Sequence, residues 1–348
     1  LLLEETRFRQ TLEKGLHLLD EATAGLKPGA TLPGEVAFRL YDTYGFPYDL
    51  TEDALKADGL AVDRAGFDAA MAEQKARARA AWAGSGQSTT DSLWFDLAEK
   101  LGATDFLGYA TTKAQGEIIA IVQNGREVES IAAGDEAGIL TNQTPFYGES
   151  GGQVGDTGII AAASARFEVD DTQKPLGKLF VHQGRLVEGT LAVGQTVELS
   201  ADAPRRDAIR ANHSATHLLH AALRDQLGGH ITQKGSLVAP DRLRFDFSHP
   251  KALTDADIAA VEAQVNAEIR ANLPVGTRLM TPEAAIEAGA MALFGEKYGD
   301  EVRVLSMGRP TASGRTYSVE LCGGTHVQAT RDIALFIITH ESGVSAGV

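Results

Sequence analysis

The spacing of apolar residues changes along the chain, and this change constrains the fold more than any other feature of the sequence. Up to about residue 85, apolar residues recur every three to four positions, which is typical of amphipathic helices. From about residue 91 to 203, short runs suited to β-strands are separated by turn residues such as Asn124-Gly125, which predicts a small barrel or sandwich. Beyond residue 204 both patterns occur. We therefore predict an α+β multidomain chain with a helical part at 1–85, a small β-barrel at 86–203 and an α+β domain at 204–348.

Capping and turn residues give the limits of the individual elements. Helices are predicted at residues 4–22, after Pro33, from Thr51, at 63–82, at 204–228, and from Thr254 to just before Pro274. Strands are predicted at 117–122, 138–141, 158–169, 178–181, 195–199, 243–247, 301–305, 317–321 and 335–339. Residues 41–47 are predicted to form a turn, and the glycine- and serine-rich residues 83–90 a flexible junction.

Composition excludes several classes of protein. The chain has 32 Lys and Arg against 47 Asp and Glu, a net charge of −15. This argues against a protein that coats nucleic acid nonspecifically, because such binding depends on basic residues, but it is compatible with a local basic face. Cys322 is the only cysteine, so we expect no internal disulfide and a reducing, cytoplasmic compartment. The apolar runs are too short to span a bilayer, so no membrane partner is expected.

Two histidines in the predicted helix at 204–228 point to a metal. His213 and His217 are four residues apart, so their side chains project from one face of the helix. Ile209 and Leu223 lie on the same stripe, which places that face toward the interior, and His220 shares it. A single inward histidine is usually a hydrogen-bonded core residue, whereas two at this spacing often supply half of a zinc site.

The other half of such a site follows the predicted strand at 317–321. Cys322 and His326 flank Gly323-Gly324, and two glycines allow the sharp turn that aims both side chains at one point. Three imidazoles and one thiolate form the mixed nitrogen and sulfur set that tetrahedral zinc prefers. The sequence therefore predicts one Zn²⁺, although Cys322 acting as a nucleophile without metal remains an alternative.

Two other motifs in the sequence bear on its chemistry. Ser214 follows His213, so the pair is not the metalloprotease motif in which glutamate follows the first histidine. Residues 148–158 are rich in glycine but lack the lysine of a phosphate-binding loop and lead into a strand. They are interpreted either as tight turns or as a loop whose bare backbone lies against a ligand.

Longer motifs accompany the four candidate ligands. They lie at residues 39–47, 143–156, 213–218, 233–237, 243–246, 289–298 and 322–326. Together they closely resemble alanyl-tRNA synthetase of the bacterial type, and the resemblance covers essentially the whole chain. The family usually has glycine where Arg331 and Ala334 stand, so the local turn is a point of departure.

The resemblance implies an internal fragment of alanine–tRNA ligase. It would contain the end of the tRNA-recognition region, a β-barrel and a zinc-containing editing domain that lacks its last basic strand. The aminoacylation domain, with ATP and Mg²⁺, would precede Leu1, and the tRNA-binding and oligomerising region would follow Val348. The fragment is expected to bind tRNA(Ala) and to hydrolyse Ser-tRNA(Ala) and Gly-tRNA(Ala), but not to make alanyl-tRNA. Such editing is needed because a pocket sized for alanine cannot strongly reject an added hydroxyl or a smaller side chain.

The resemblance also implies residue roles. Four residues would hold Zn²⁺: His213, His217, Cys322 and His326. Thr216 would gate access of the amino-acid side chain, Gln233 would line the same pocket, and Asp42 would help read the G·U pair of tRNA(Ala). The alternative for Thr216 is an ordinary helix hydroxyl bonded to its own backbone, and Asp42 is equally interpretable as an N-cap or turn aspartate.

Three questions are left open by the sequence. Four protein ligands form a closed site, so zinc could be catalytic or could only orient substrate. The chain could instead be a free-standing editing hydrolase with the same zinc site. It could also be a structural zinc module that only binds RNA.

Overall fold

The computed structural model describes residues 15–23, 25–27, 29–44, 46, 48–57, 59–71, 88–290, 301–311 and 316–343. Internal contacts divide the chain into two compact units, Leu1–Ser92 and Leu93–Val348. The helices predicted at 4–22 and 63–82 lie partly outside the described residues, and their described portions, 15–23 and 64–71, are helical. The limits predicted for the three domains stay a prediction.

The first unit is built from short helices around one strand pair. Helices α1 (Gly34–Tyr44) and α2 (Tyr48–Ala57) stand between strands β1 (Thr31–Leu32) and β2 (Ala61–Val62), which pair in parallel. The core of this unit is made of buried apolar side chains: Leu19, Leu32, Ala37, Leu40, Phe46, Tyr48, Leu55 and Phe67.

The turn predicted at residues 41–47 is wrong in its first half. Helix α1 continues through Asp42 to Tyr44, because the stripe carrying buried Ala37 and Leu40 meets no helix-breaking residue before Gly45. Asp42 is therefore helical rather than a turn residue, and its side chain lies outside the described part. Helix α2 likewise begins before the predicted start, so that Thr51 is buried within it.

Helix α3 (Ser88–Leu101) spans the boundary between the two units along the chain, and a closed barrel follows it in the second unit. Its strands are β3 (Asp105–Phe106), β4 (Lys113–Gln123), β5 (Arg126–Val128), β6 (Ser130–Ala132), β7 (Glu136–Thr141), β8 (Gln143–Thr144), β9 (Gly158–Ala162), β10 (Ala165–Gln173), β11 (Val181–Glu188), β12 (Thr190–Ala192) and β13 (Thr196–Ala201). Six of them pair antiparallel in the order β4–β7–β11–β10–β9–β13, and β13 pairs back with β4. Burial alternates along β10, where Ala165, Phe167 and Val169 enter the barrel core, so the predicted small barrel is confirmed.

Three predictions in this region are wrong in detail. Helix α3 occupies part of the predicted junction, and Leu93, Leu97 and Leu101 give it a helical spacing that packs on the barrel wall. Residues 158–169 form the hairpin β9–β10 rather than one strand, because the chain reverses after Ala162 without a glycine to mark the turn. The strand predicted at 178–181 begins only at its last residue, after a 3₁₀ turn at Pro175–Gly177.

The rest of the second unit is α+β. Its helices are α4 (Ala203–Leu227), α5 (Asp255–Arg270) and α6 (Pro282–Glu287), and its strands are β14 (Gln233–Val238), β15 (Leu243–Phe247), β16 (Gly276–Met280), β17 (Val302–Pro310) and β18 (Thr316–Leu321). Strands β14 and β15 form a hairpin, and β16, β17 and β18 form an antiparallel sheet in that order. Asp202 caps α4 and a Thr254–Asp257 capping box starts α5, which explains why both helix starts could be predicted. The core between the two helices and the sheet includes Leu218, Val265 and Leu305.

The apolar run at residues 335–339 forms no strand in the described chain. Its backbone bonds to side chains of α5 instead: Asn266 Nδ2 donates to the Phe336 carbonyl, and the Phe336 N–H donates to Asn266 Oδ1. The Ile338 N–H donates to Glu262 Oε2. Because helix side chains satisfy these groups, the run needs no neighbouring strand.

Ala334 occupies a conformation that favours glycine. Its φ is 69°, and the Leu335 N–H donates to the Ile333 carbonyl across it at 3.0 Å, which makes a γ-turn. The resembled family usually has glycine at this position, so Ala334 adopts a backbone conformation that is strained for a residue with a side chain. None of the helices in the described ranges is both long enough and apolar enough to cross a bilayer.

Candidate metal centre

Helix α4 brings His213 and His217 to the interior. Both rings are buried, at 6% exposure each, and they stack with centroids 5.2 Å apart. The face they occupy packs on α5 and on the sheet through residues such as Leu218. The pair therefore stands where an apolar residue would otherwise complete the core.

The turn after β18 brings Cys322 and His326 to the same point. An added Cβ at Gly324 would lie 2.1 Å from Cε1 and 2.4 Å from Nδ1 of His213, so only glycine lets the turn approach that ring. At Gly323 the nearest atom is 3.9 Å away. Of the two glycines, Gly324 is therefore the one that the close approach requires.

The four side chains form one cluster. One donor atom from each lies within 4.8 Å of the others. Cys322 Sγ is 3.5 Å from Nε2 of His213 and 3.3 Å from Nε2 of His326. A tetrahedral zinc with ordinary bond lengths separates its nitrogen and sulfur donors by about 3.3–3.6 Å, which the two sulfur–nitrogen distances match, and the donor types of all four residues suit that ion.

Hydrogen bonds at Nδ1 orient all three rings. His213 Nδ1 donates to Gln153 Oε1 and His217 Nδ1 donates to Glu320 Oε2, both at 2.8 Å. The Ser214 hydroxyl donates to the Arg210 carbonyl, so its oxygen accepts from His326 Nδ1 at 3.4 Å. With the proton held at Nδ1, each neutral ring presents the lone pair of Nε2 to the cluster. His217 Nε2, like His220 Nε2, is buried without a hydrogen-bond partner in the described chain, and of these two atoms only that of His217 belongs to the cluster, where an ion could pair with it.

The charges of the cluster also fit a cation. Burial disfavours the thiolate of Cys322, but His213, His326 and His217 outweigh burial and hold the pKa of the thiol well below its usual range. Burial likewise disfavours the carboxylate of Glu320, but its contacts with His217 and His220 lower that pKa to about 2. The site thus holds two buried negative charges, which a divalent ion would balance.

In the metal-free chain the surroundings of His217 favour a second proton on its ring, at Nε2. Burial opposes its protonation, but the charges of Glu320 and Cys322 prevail and raise its pKa to about 10. His326 differs, because burial dominates and lowers its pKa to about 3. A metal ion bound at His217 would therefore replace a proton.

His220 shares a helix face with His213 and His217 but lies outside the cluster. Its Nδ1 bonds to Glu320 Oε1 at 3.0 Å, and its ring packs against Phe245. Glu320 thus joins His220 to His217 and holds both rings in place.

Side chains from the barrel part of the unit and from strand β17 support the cluster. Gln153, in the glycine-rich loop and fully buried, accepts from His213 and from the Thr325 N–H and donates to the Thr325 hydroxyl. Tyr109 donates its hydroxyl to the Gly323 carbonyl at 2.7 Å. Arg303 stacks on the Tyr109 ring and donates to the carbonyls of Cys322 and Gly324. The glycine-rich loop therefore contacts the site through the side chain of Gln153.

A cavity of about 330 Å³ opens beside the cluster. His326 and Thr325 form one side of it, and Tyr109, Arg210 and Arg303 stand around it. A space of this size accommodates a small organic ligand next to the candidate metal ligands.

The other site residues predicted from the sequence are placed as follows. Thr216 is buried beside His217, and its hydroxyl donates to the Asn212 carbonyl at 2.9 Å. This is the bond within the helix that the structural interpretation of Thr216 predicts. Gln233 is half-buried at the start of β14, opposite Phe247, and is not a member of the cluster. Asp42 belongs to the first unit. The functional roles of these three residues stay predictions.

Comparison with known families decides the affiliation. The model of the family described as tRNA synthetases class II (A) matches residues 1–205. The chain belongs to the class II (A) tRNA synthetases. A second model, described as the threonyl and alanyl tRNA synthetase second additional domain, matches residues 302–348, which include Cys322 and His326 of this class II chain.

Relatives of this class II chain match along nearly its entire length. It is 68% identical over 346 residues to an alanine–tRNA ligase of Sphingopyxis alaskensis, covering 99% of this chain and 39% of that protein. It is 65% identical to the alanine–tRNA ligase of Rhizorhabdus wittichii and 62% identical to that of Granulibacter bethesdensis, covering 100% of this chain and 40% of each relative. The resemblance to bacterial alanyl-tRNA synthetase predicted from the motifs is thus confirmed. The chain spans about 40% of the length of the curated relatives that it matches.

Sequence reasoning missed the residues that support the four ligands. Gln153, Glu320, Tyr109 and Arg303 were not predicted as site residues. Glu320 had a detectable signal, since it points to the same face of β18 as buried Ser318 and stands two residues before Cys322. The others come from distant segments whose approach only the fold reveals.

Proposed function

We propose that this chain hydrolyses the ester bond of tRNA(Ala) mischarged with serine or glycine. The observation that carries the proposal is the cluster of three imidazoles and one thiol beside a cavity that accommodates a small organic ligand. It is supported by the match to the additional domain of threonyl and alanyl synthetases. The editing activity would belong to a parent alanine–tRNA ligase that acts in the cytoplasm and uses ATP and Mg²⁺ in its aminoacylation domain.

The four clustered residues would hold one zinc ion. When bound, zinc would supply a Lewis acid that lowers the pKa of water or polarises the ester carbonyl. The residues of the chain do the rest: Gln153, Glu320 and Ser214 fix the three rings, and Arg303 with Tyr109 fixes the turn that carries Cys322. Four protein ligands also suit a structural ion, so an RNA-binding module without hydrolysis is the second candidate.

Thr216 would read the amino-acid side chain, with Gln233 lining the same pocket. The Thr216 hydroxyl donates its hydrogen bond to the Asn212 carbonyl. Its oxygen therefore remains free to accept a hydrogen bond from the hydroxyl of a bound serine. Asp42 would contribute to recognition of tRNA(Ala) at its G·U pair.

The direct test is deacylation of Ser-tRNA(Ala), Gly-tRNA(Ala) and Ala-tRNA(Ala) by the zinc-loaded chain. We expect hydrolysis of the first two and sparing of the third. Cys322→Ala removes the only thiolate, so bound zinc measured by elemental analysis and deacylation should both be lost, while the circular dichroism of the fold is kept. Zinc binding by the native chain without deacylation would favour the RNA-binding module. Full zinc content and full activity in Cys322→Ala would exclude Cys322 from the site.

Thr216→Val tests side-chain reading, since it keeps the shape and removes the hydroxyl. A hydrogen bond of this kind contributes about 0.5–1.5 kcal/mol, so hydrolysis of Ser-tRNA(Ala) should fall several-fold. Gly-tRNA(Ala) has no side-chain hydroxyl and should be affected less. An equal loss with both substrates would show that Thr216 only supports the helix.

A further inference from the structure

We propose that the cavity beside His326 binds a phosphodiester: the last internucleotide phosphate of an RNA 3′ end. The inference rests on the proposed function, because it places the charged group nearest to the ester that is hydrolysed. Arg210 is the residue that we assign to this contact.

The walls of the cavity come from separate elements of the second unit. Arg210 lies on α4, Arg303 on β17, and Tyr109 precedes the barrel strand β4. The remaining wall is formed by uncharged side chains such as Val275 and Thr277 and by His326. Among the described residues that line the cavity none is a carboxylate, although acidic residues outnumber basic ones by 15 in the chain. Two guanidinium groups at one concave surface create a local field that attracts an anion.

The two arginines differ in how much of their hydrogen-bonding capacity is used. Arg303 Nη1 donates to the carbonyls of Cys322 and Gly324, so this residue mainly braces the metal-site turn. Among the described residues Arg210 Nη1 donates only to the exposed Asp207, at 3.0 Å, and its Nη2 lies 3.5 Å from the Gly108 carbonyl. Arg210 Nε is buried and has no partner in the described part of the chain. The Arg210 side chain lines the cavity and is partly exposed, so a phosphate oxygen there would pair with its weakly bonded Nη2, in the way that guanidinium N–H groups bind phosphate.

The position of Arg210 matches the chemistry of an aminoacylated RNA end. It precedes His213 by three residues on α4, which is about 4.5 Å along the helix axis. In an ester at the terminal ribose, the nearest negative charge is the phosphate on the 5′ side of the same nucleotide. An ester held at the metal cluster would put that phosphate about one nucleotide's length away, and the cavity lined by both His326 and Arg210 adjoins the cluster and could receive it.

The test removes the Arg210 guanidinium and the charge of that phosphate separately and together, and compares the four binding affinities. The probes are fluorescent CCA trinucleotides that carry serine as a stable 3′-amide, with either a normal phosphodiester or an uncharged methylphosphonate at the last linkage. We expect the zinc-loaded native chain to bind the normal probe about tenfold more tightly, since a charged hydrogen bond is lost in the other. In Arg210→Gln this ratio should fall to about one. Arg185→Gln removes another guanidinium with an exposed ion pair, on the barrel, and should keep the ratio.

The outcomes separate this inference from the proposed function. A ratio near one in the native chain, or an unchanged ratio in Arg210→Gln, would overturn the phosphate contact. If Arg210→Gln binds neither probe, Arg210→Lys decides: a ratio above about threefold supports the contact, and a ratio of one overturns it. Arg210-dependent stabilisation by inorganic phosphate, with no preference between the probes, would show a free-phosphate site and overturn the RNA assignment. Failure of the native chain to deacylate Ser-tRNA(Ala) would reject the hydrolase but leave the phosphate contact standing if the tenfold ratio is observed.

Discussion

The hydrogen bond that Nδ1 donates determines which nitrogen of each clustered histidine is free to bind metal. Gln153 and Glu320 are both acceptors at these positions, so the proton stays on Nδ1 and Nε2 faces the centre. The sequence predicted which four residues would cluster because their spacings, four residues on a helix and four across a turn, are local. It could not predict Gln153, which is 60 residues from His213 along the chain. Partners of this kind are as important as the ligands themselves, since they orient the ring and tune its basicity.

Glu320→Gln should weaken zinc binding about 10- to 100-fold, because His217 loses the carboxylate that orients its ring. Affinity is measured by competition with a chromogenic chelator. His220→Gln is the matched control, since it breaks the other bond of Glu320 and leaves that of His217. Zinc affinity in His220→Gln should stay within a few-fold of the native value. A loss as large as in Glu320→Gln would instead make His220 part of the centre.

At the scale of elements, the site is the meeting of one helix with one strand–turn segment. Helix α4 and strand β18 could be predicted because a capping aspartate, a proline in the first turn and an alternating strand pattern mark them. Helix α3 and the hairpin β9–β10 were missed because the serine-rich start of one and the glycine-free turn of the other resemble a linker and a continuous strand. The strand predicted at 335–339 is wrong for a different reason: side chains of α5 take the place of a neighbouring strand.

Gly324→Ala should disrupt the metal centre, whereas Gly323→Ala should be tolerated. The added methyl at Gly324 would collide with the His213 ring, whose position is fixed by Gln153. Overpacking of this kind costs typically about 1–3 kcal/mol, and relief by moving the ring would misplace a ligand. We expect at least a tenfold loss of zinc affinity in Gly324→Ala and less than a twofold change in Gly323→Ala, measured by chelator competition. Equal effects of the two alanines would contradict the close approach seen at Gly324.

At the scale of the whole second unit, a buried ion pair fastens helix α4 to the barrel. Arg206 is fully buried, bonds to both oxygens of Asp156, and donates to the carbonyls of Gly108 and Pro145. Asp156 also accepts from the Tyr147 N–H. The sequence predicted a barrel followed by an α+β part but gave no sign of this link, because a buried arginine is rare and its partners lie 50 or more residues away. The barrel therefore serves the site in two ways, through this pair and through Gln153.

Arg206→Met should lower the free energy of unfolding by about 3–5 kcal/mol, because Asp156 is left as an unpaired buried charge. Urea denaturation followed by circular dichroism measures this change. Arg185→Met breaks an exposed pair with Glu136 and should cost less than about 1 kcal/mol. If the two variants unfold at the same urea concentration, the buried pair does not hold α4 to the barrel.

The metal centre is tested most directly by X-ray absorption at the zinc edge of the zinc-loaded chain after exhaustive desalting. We predict one ion per chain, with one sulfur ligand at about 2.3 Å and three nitrogen ligands at about 2.0–2.1 Å, from Cys322 and the three histidines. A chain that retains no zinc, or an ion surrounded only by oxygen and nitrogen without sulfur, would contradict the centre described here.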